Sequence, residues 1–175
     1  MNAGAKEAIT EAFATWQAAN AGAPGVSLTI SDTPGTAAQD GVNRILYGPI
    51  TLAGFETAVA VTISYADDDG VLVEADMILN NAYPFTVIAT PTQAATPAPA
   101  TCGGRYDVQN VTTHEAGHFF GLGEDMTDQT TTMFITSAPC QTHKRALGAS
   151  DVGAMTSLYA NVVPTPSQAS GCNGQ

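Results

Sequence analysis

Residues His114-Glu115-Ala116-Gly117-His118-Phe119-Phe120-Gly121-Leu122-Gly123-Glu124 constrain this chain more than any other stretch. Two histidines four apart project from one face of a helix, about one turn from each other, so both imidazoles can bind one metal ion. Zinc suits that arrangement, because it accepts neutral imidazole readily and imposes little geometry of its own. Glu115 reaches toward the open metal position without ligating it. There it can take a proton from water whose pKa zinc lowers to about 7. Gly121 lets the helix break sharply, so that a side chain three residues later can turn back toward the metal. A helix of this kind could also bury one histidine as a hydrogen-bonded core residue. Glu115 between the pair and Gly121 after it favour the metal site.

The stretch resembles the extended motif of the metzincin metallopeptidases, H-E-x-x-H-x-x-G-x-x-H with a methionine turn downstream. His114, Glu115, His118 and Gly121 match it, and Glu124 stands where the family has a third histidine or, in some branches, aspartate. Thr132-Met133-Phe134 resembles the methionine turn, and Asp151 to Tyr159 resembles the closing helix of the matrixin branch. The resemblance is strong from Tyr106 to Tyr159 and weaker before. It implies an α+β, zincin-like fold: a mixed, mostly parallel sheet with an antiparallel edge strand, an active-site helix, a methionine turn and a C-terminal helix. A carboxylate can complete a zinc site, though its charge makes bound water less acidic than a third imidazole would. Asp125 and His143 remain alternatives to Glu124 as third ligand, the latter because imidazole is the better zinc ligand. Asp151 is a weaker option, better suited to the first turn of the last helix. The basic neighbours of His143, Lys144 and Arg145, suggest a solvent-facing segment.

One hundred and seventy-five residues, 44% hydrophobic, suggest one domain with enough chain for a real core. We expect a catalytic domain over residues 1–164 and a flexible tail over 165–175. A formal charge of −11 with only five Lys and Arg argues against nucleic acid and anionic membranes as partners. No apolar run approaches a membrane span, so an acidic, soluble and monomeric protein is expected. The N-terminus has no apolar signal core; if the protein is exported, its signal and any propeptide are absent from this chain. Three cysteines allow one disulfide. Cys102 and Cys140 flank the metal motif and are the favoured pair, leaving Cys172 in the tail. That disulfide and the resemblance together suggest a secreted protein.

Ile9, Phe13 and Trp16 share one face of a helix over residues 5 to 21, with Trp16 in the core. Four strand-like runs follow: Val26, Leu28 and Ile30; Asn43 to Tyr47; Val59, Val61, Ile63 and Tyr65; and Val71 to Asn80. In the fourth, Val71, Val73, Ala75, Met77 and Leu79 share one face, and Glu74 and Asp76 the other. This run resembles the matrixin edge strand that pairs with an extended substrate, which makes Glu74 and Asp76 candidate substrate contacts. Asp67-Asp68-Asp69-Gly70 makes an acidic turn before it; Ca2+ is possible there, but a solvated turn is favoured because the spacing is not that of a calcium loop. Residues 88 to 106, with Pro91, Pro97 and Pro99, read as an extended loop beside the cleft. Asp107 caps the metal helix, whose buried side is Val108, Val111 and Phe119. Ser150 caps the last helix, with Val152, Met155 and Tyr159 buried, and Pro164 and Pro166 close the fold.

Through the resemblance, the function expected is that of a secreted zinc endopeptidase acting on peptide or protein substrates. His114, His118 and Glu124 would hold one Zn2+, and Glu115 would act as general base. Met133 would lie beneath the metal, and Phe134 and Ile135 would wall the pocket for the side chain after the scissile bond. The structural zinc of animal matrixins needs several more histidines than the three present. The competing expectation is a non-catalytic or latent metzincin-fold zinc protein, blocked by Glu124 or by Cys172 of the tail.

Overall fold

A computed structural model describes residues 3–20, 22–29, 35–88 and 102–160. The architecture is α+β. Helix α1 spans Ala3–Ala19, β1 Arg44–Gly48, β2 Ala60–Ala66, β3 Leu72–Asn80, β4 Phe85–Thr86 and β5 Tyr106–Asp107. Helix α2 spans Val108–Phe119 and α3 Ala149–Leu158, with a short 3-10 turn, His143–Arg145, between them. Ile30, the segment 89–101 with its three prolines, and the tail with Pro164, Pro166 and Cys172 lie outside the described residues. No helix among the described residues is long and apolar enough to cross a membrane.

The core forms where α1 meets α2. Ile9, Phe13 and Trp16 are all buried, as their spacing requires. Phe13 meets Phe119 edge-on at 5.1 Å between ring centres, and the Trp16 indole donates to the Thr113 carbonyl at 2.6 Å. Burying an indole N–H without an acceptor would be costly, so this bond also fixes the height of α1 along α2. Phe120, rather than the half-buried Phe119, is the deepest aromatic at the end of α2.

The three-stranded sheet has the order β1-β3-β2. Strand β3 pairs parallel with β1, Arg44 opposite Asp76, and antiparallel with β2, Thr62 opposite Met77. Two expectations are corrected here. The fourth run is the central strand and not the edge; the antiparallel edge strand is the third run, β2. Strand β3 is paired along both edges, helix α2 packs on it and the 38–44 loop closes over its acids, which explains why Glu74 through Asn80 are all buried. The alternation expected for that run also fails at its start: Val71 and Val73 are more than half exposed, while Glu74 and Asp76 are buried.

The second correction concerns what those two acids do. Glu74 accepts from the amides of Asp40 and Gly41, and Asp76 from those of Ala38 and Arg44, at 2.7–3.2 Å. Four backbone donors of the 38–44 loop are thereby satisfied, so these carboxylates are structural fasteners and not substrate contacts. Burial pushes the Asp76 carboxyl upward, against the lowering effect of those amides.

The described part of the first strand-like run forms no strand: residues 24–29 are irregular, although Val26 and Leu28 still pack against the core. Three alternating residues make a weak strand without a neighbour to pair with. Cys102 and Cys140 are joined as a disulfide, 38 residues apart in sequence.

Candidate metal centre

Helix α2 is set in place before its histidines matter. Asp107 is its N-cap, accepting from the Asn110 amide at 2.8 Å. The same carboxylate receives both arms of Arg145 at 2.6 and 2.7 Å, and that guanidinium also reaches the Ile88 carbonyl. A buried carboxylate is tolerated only when paired, and here the pair ties the helix start to the 3-10 turn. Residues 143 to 145 are therefore not a solvated basic segment: Arg145 is paired and Lys144 is fully buried.

The far end of α2 breaks as expected. Gly121 has φ +94°, a left-handed conformation that glycine adopts without strain. The chain reverses there and brings Glu124 back over the helix. Its carboxylate lies 3.5 Å from His114 Nε2 and 3.3 Å from His118 Nε2. Among the described residues, these three are the only grouping of His, Cys, Asp or Glu whose ligand atoms all lie within 4.8 Å of one another.

The other ring nitrogens are fixed by acceptors. His114 Nδ1 lies 2.8 Å from the Thr132 carbonyl and His118 Nδ1 2.8 Å from the Leu122 carbonyl. A carbonyl can only accept, so each Nδ1 carries a proton and each Nε2 faces Glu124, donating to it in the imidazolium form and turning a lone pair to the same place in the neutral form. That is the tautomer and orientation a metal-binding imidazole requires. Burial works against charge on Glu124, yet hydrogen bonds to the two imidazoles hold its carboxyl down at about 2. Burial likewise works against a charged His118, but Glu124 and Glu115 raise its pKa above the ordinary value. Two nitrogen donors and one carboxylate oxygen, mutually within reach of a single small cation, form a donor set that fits zinc.

None of the alternatives to Glu124 joins the cluster. Asp125 caps its own loop, accepting from the Thr127 and Asp128 amides at 2.8 and 3.1 Å. His143 stands outside the cluster, with Nε2 buried and without a partner; burial and the neighbouring Lys144 lower its pKa. Asp151 belongs to the start of α3, as anticipated. Its reach is longer than the sequence suggested: it accepts from the amides of Gly148, Thr132 and Met133 at 2.8–3.2 Å. The expected cap Ser150 is corrected by this arrangement. Gly148 is the N-cap, and turning Asp151 inward leaves Val152 exposed.

Met133 is buried against α2 at Gly117. A Cβ at Gly117 would collide with Met133 Sδ and lie 2.9 Å from Trp16, so only glycine fits there. Glu115 is buried too, with Thr62 Oγ1 of strand β2 at 2.8 Å from its Oε2. Phe134 is half-buried and Ile135 exposed just beyond the methionine. In the acidic turn, the Asp67 carboxylate accepts the Asp69 and Val71 amides, so backbone donors already use part of its capacity to bind a cation.

Sequence reasoning missed Lys144, the threefold role of Asp151 and the hydroxyl of Thr62. Lys144 lies in a run, Gln141 to Arg145, whose polarity resembles surface, and nothing in the sequence marks its burial. No family model matches this chain. No curated protein matches it significantly either. The chemistry of the centre therefore rests on its own geometry.

Proposed function

We propose that this chain is a zinc-dependent endopeptidase of the metzincin kind, matrixin-like, with Glu124 as the third metal ligand. The observation that carries the reading is the convergence of His114 Nε2, His118 Nε2 and the Glu124 carboxylate, with the unligated Glu115 carboxylate on the same helix. When bound, zinc would supply Lewis acidity, polarising a carbonyl and making water a better acid. Ferrous iron also uses two histidines and a carboxylate. A glutamate directly after the first histidine favours hydrolysis, because proton transfer at the open position is what that residue can do there.

In this reading Glu115 takes the proton of the attacking water and delivers it to the leaving amine. Thr132 and Leu122 hold the Nδ1 protons of His114 and His118, so that the Nε2 lone pairs would face the metal once zinc displaces any proton there. An extended peptide would align along β2, whose outer edge has no strand partner among the described residues. Phe134 and Ile135 would form the apolar wall for the following side chain. Export fits a disulfide-bearing acidic chain of this kind.

The deciding experiment is digestion of a mixed peptide library by the zinc-loaded protein, with Glu115→Ala beside it. Cleavage by the parent, lost in a variant that still binds zinc, supports the peptidase. Equal cleavage by both removes Glu115 from the mechanism, and no cleavage by either moves the reading to a latent or binding-only zinc protein.

A further inference from the structure

Glutamate on a helix has three rotatable side-chain bonds, and a general base has to present one particular oxygen to its proton. Something must therefore hold the Glu115 carboxylate. Among the described residues one side chain bonds to it: Thr62 Oγ1, 2.8 Å from Oε2 and 3.1 Å from the backbone carbonyl of the same glutamate.

The placement follows from the sheet. In β2, Ala60, Thr62, Ser64 and Ala66 alternate with Val61, Ile63 and Tyr65, so the small and hydroxyl side chains share one face. Thr62 meets α2 there. Its branched Cβ restricts χ1, and its single proton is given most favourably to a charged acceptor. The second contact, to the Glu115 carbonyl, seats the hydroxyl over the helix turn.

We propose that Thr62 is the positioning residue for the Glu115 carboxylate, pinning Oε2 against strand β2 so that Oε1 is the oxygen left to face the metal cluster. The proposal rests on the reading of Glu115 as general base. It also makes β2 more than a backbone edge for substrate: the same strand would align the peptide and orient the base that acts on it.

Thr62→Val keeps the size and branching and removes the hydroxyl; Thr62→Ser restores the hydroxyl. For the peptide best cleaved by the parent, kcat should fall about 10- to 100-fold in Thr62→Val with KM unchanged, the scale of a misplaced catalytic group. Thr62→Ser should recover most of that loss, and zinc affinity should be the same in all three proteins. Crystals of the metal-free proteins supply a readout independent of turnover. The Glu115 carboxylate should hold one orientation in the parent and Thr62→Ser, and leave it in Thr62→Val.

An unmoved carboxylate in Thr62→Val, or a parental kcat there beside an inactive Glu115→Ala, overturns the positioning role alone. Turnover retained in Glu115→Ala overturns the general-base reading, and the positioning role with it. If the parent cleaves no peptide, the crystallographic orientation decides.

Discussion

Lys144 Nζ lies 3.3 Å from His114 Nδ1, at the end of a fully buried side chain that stops behind the first imidazole of the cluster. Both atoms are donors while Nδ1 serves the Thr132 carbonyl, so the ammonium finds its acceptor in the Phe134 carbonyl instead. Burial lowers the Lys144 amine to about 8 from the ordinary 10.5, against the pull of Glu124, Glu115 and Asp151. The sign of the consequence is definite. Between those two values the unfolded chain binds more protons than the folded one, so stability rises with pH. In metal-free protein the urea midpoint should carry this rising contribution from about pH 8 to about pH 10.5, and Lys144→Met should lack it. The same rise in both proteins would show that the amine is not held down.

Asp151 connects two parts of the chain that the sequence keeps 18 residues apart. Its oxygens accept the Thr132 and Met133 amides, and Thr132 in turn accepts the His114 Nδ1 proton. Asp151→Asn puts an amide donor where N–H groups need an acceptor. It should destabilise the fold by about 1–3 kcal/mol, the scale for buried donors left unpaired. Zinc affinity should fall with it, because an outer partner of a ligand is lost; losses of roughly 10- to 100-fold are usual. A chemical melt and a chelator competition test the two effects. Unchanged zinc affinity in a destabilised variant would limit Asp151 to a purely structural role.

These two residues also mark where the sequence stops being legible. Helix α1, the cap at Asp107 and the helix break at Gly121 were readable, because each follows from local spacing or backbone conformation, whereas the burial of Met133 was expected only through the resemblance. The Cys102–Cys140 pair was favoured because the two cysteines flank the His114–Glu124 motif, and the structure joins them. What failed depended on neighbours distant in sequence. Whether the 71–80 run is central or edge is decided by which strands flank it, and the run itself carries no record of that. Glu74 and Asp76 look solvent-facing until the 38–44 loop folds over them and offers four amides. Lys144 is polar in sequence and buried in fact, because its end meets the Phe134 carbonyl.

Gly117 sets two known effects against each other. Replacing a mid-helix glycine by alanine favours the helix by about 1 kcal/mol. Here, however, the added methyl would collide with Met133 and come within 2.9 Å of Trp16, both buried. Overpacking of a tight core costs about 1–3 kcal/mol, so the steric cost prevails. Gly117→Ala should lower Tm by roughly 2–6 °C for a domain of this size. A raised Tm would mean that Met133 can move aside, and that the packing against Gly117 is soft.

His118 and Glu124 predict how pH controls metal binding. Zinc needs the unprotonated imidazole, whereas Glu124 raises the His118 pKa above its ordinary 6.5. Zinc must therefore displace a proton near neutrality, and its affinity should fall about tenfold per pH unit below that raised pKa, for one proton displaced. Glu124, held at about 2, stays ionised throughout, so the loss belongs to the histidine. In metal-free protein the raised His118 contributes stability that is full below about 6.5 and lost as pH rises through its folded value. The lowered Glu124 contributes stability that is present above about 4.5 and lost as pH falls toward 2. Both contributions are complete only between about pH 4.5 and 6.5, and Glu124→Gln should remove that plateau. Calorimetric zinc titrations at pH 6.5 in two buffers of different ionisation enthalpy would count the displaced protons. A binding heat that does not depend on the buffer would mean that His118 carries no proton for zinc to displace, and that the Glu124 pairing is weaker than the 3.3 Å contact implies.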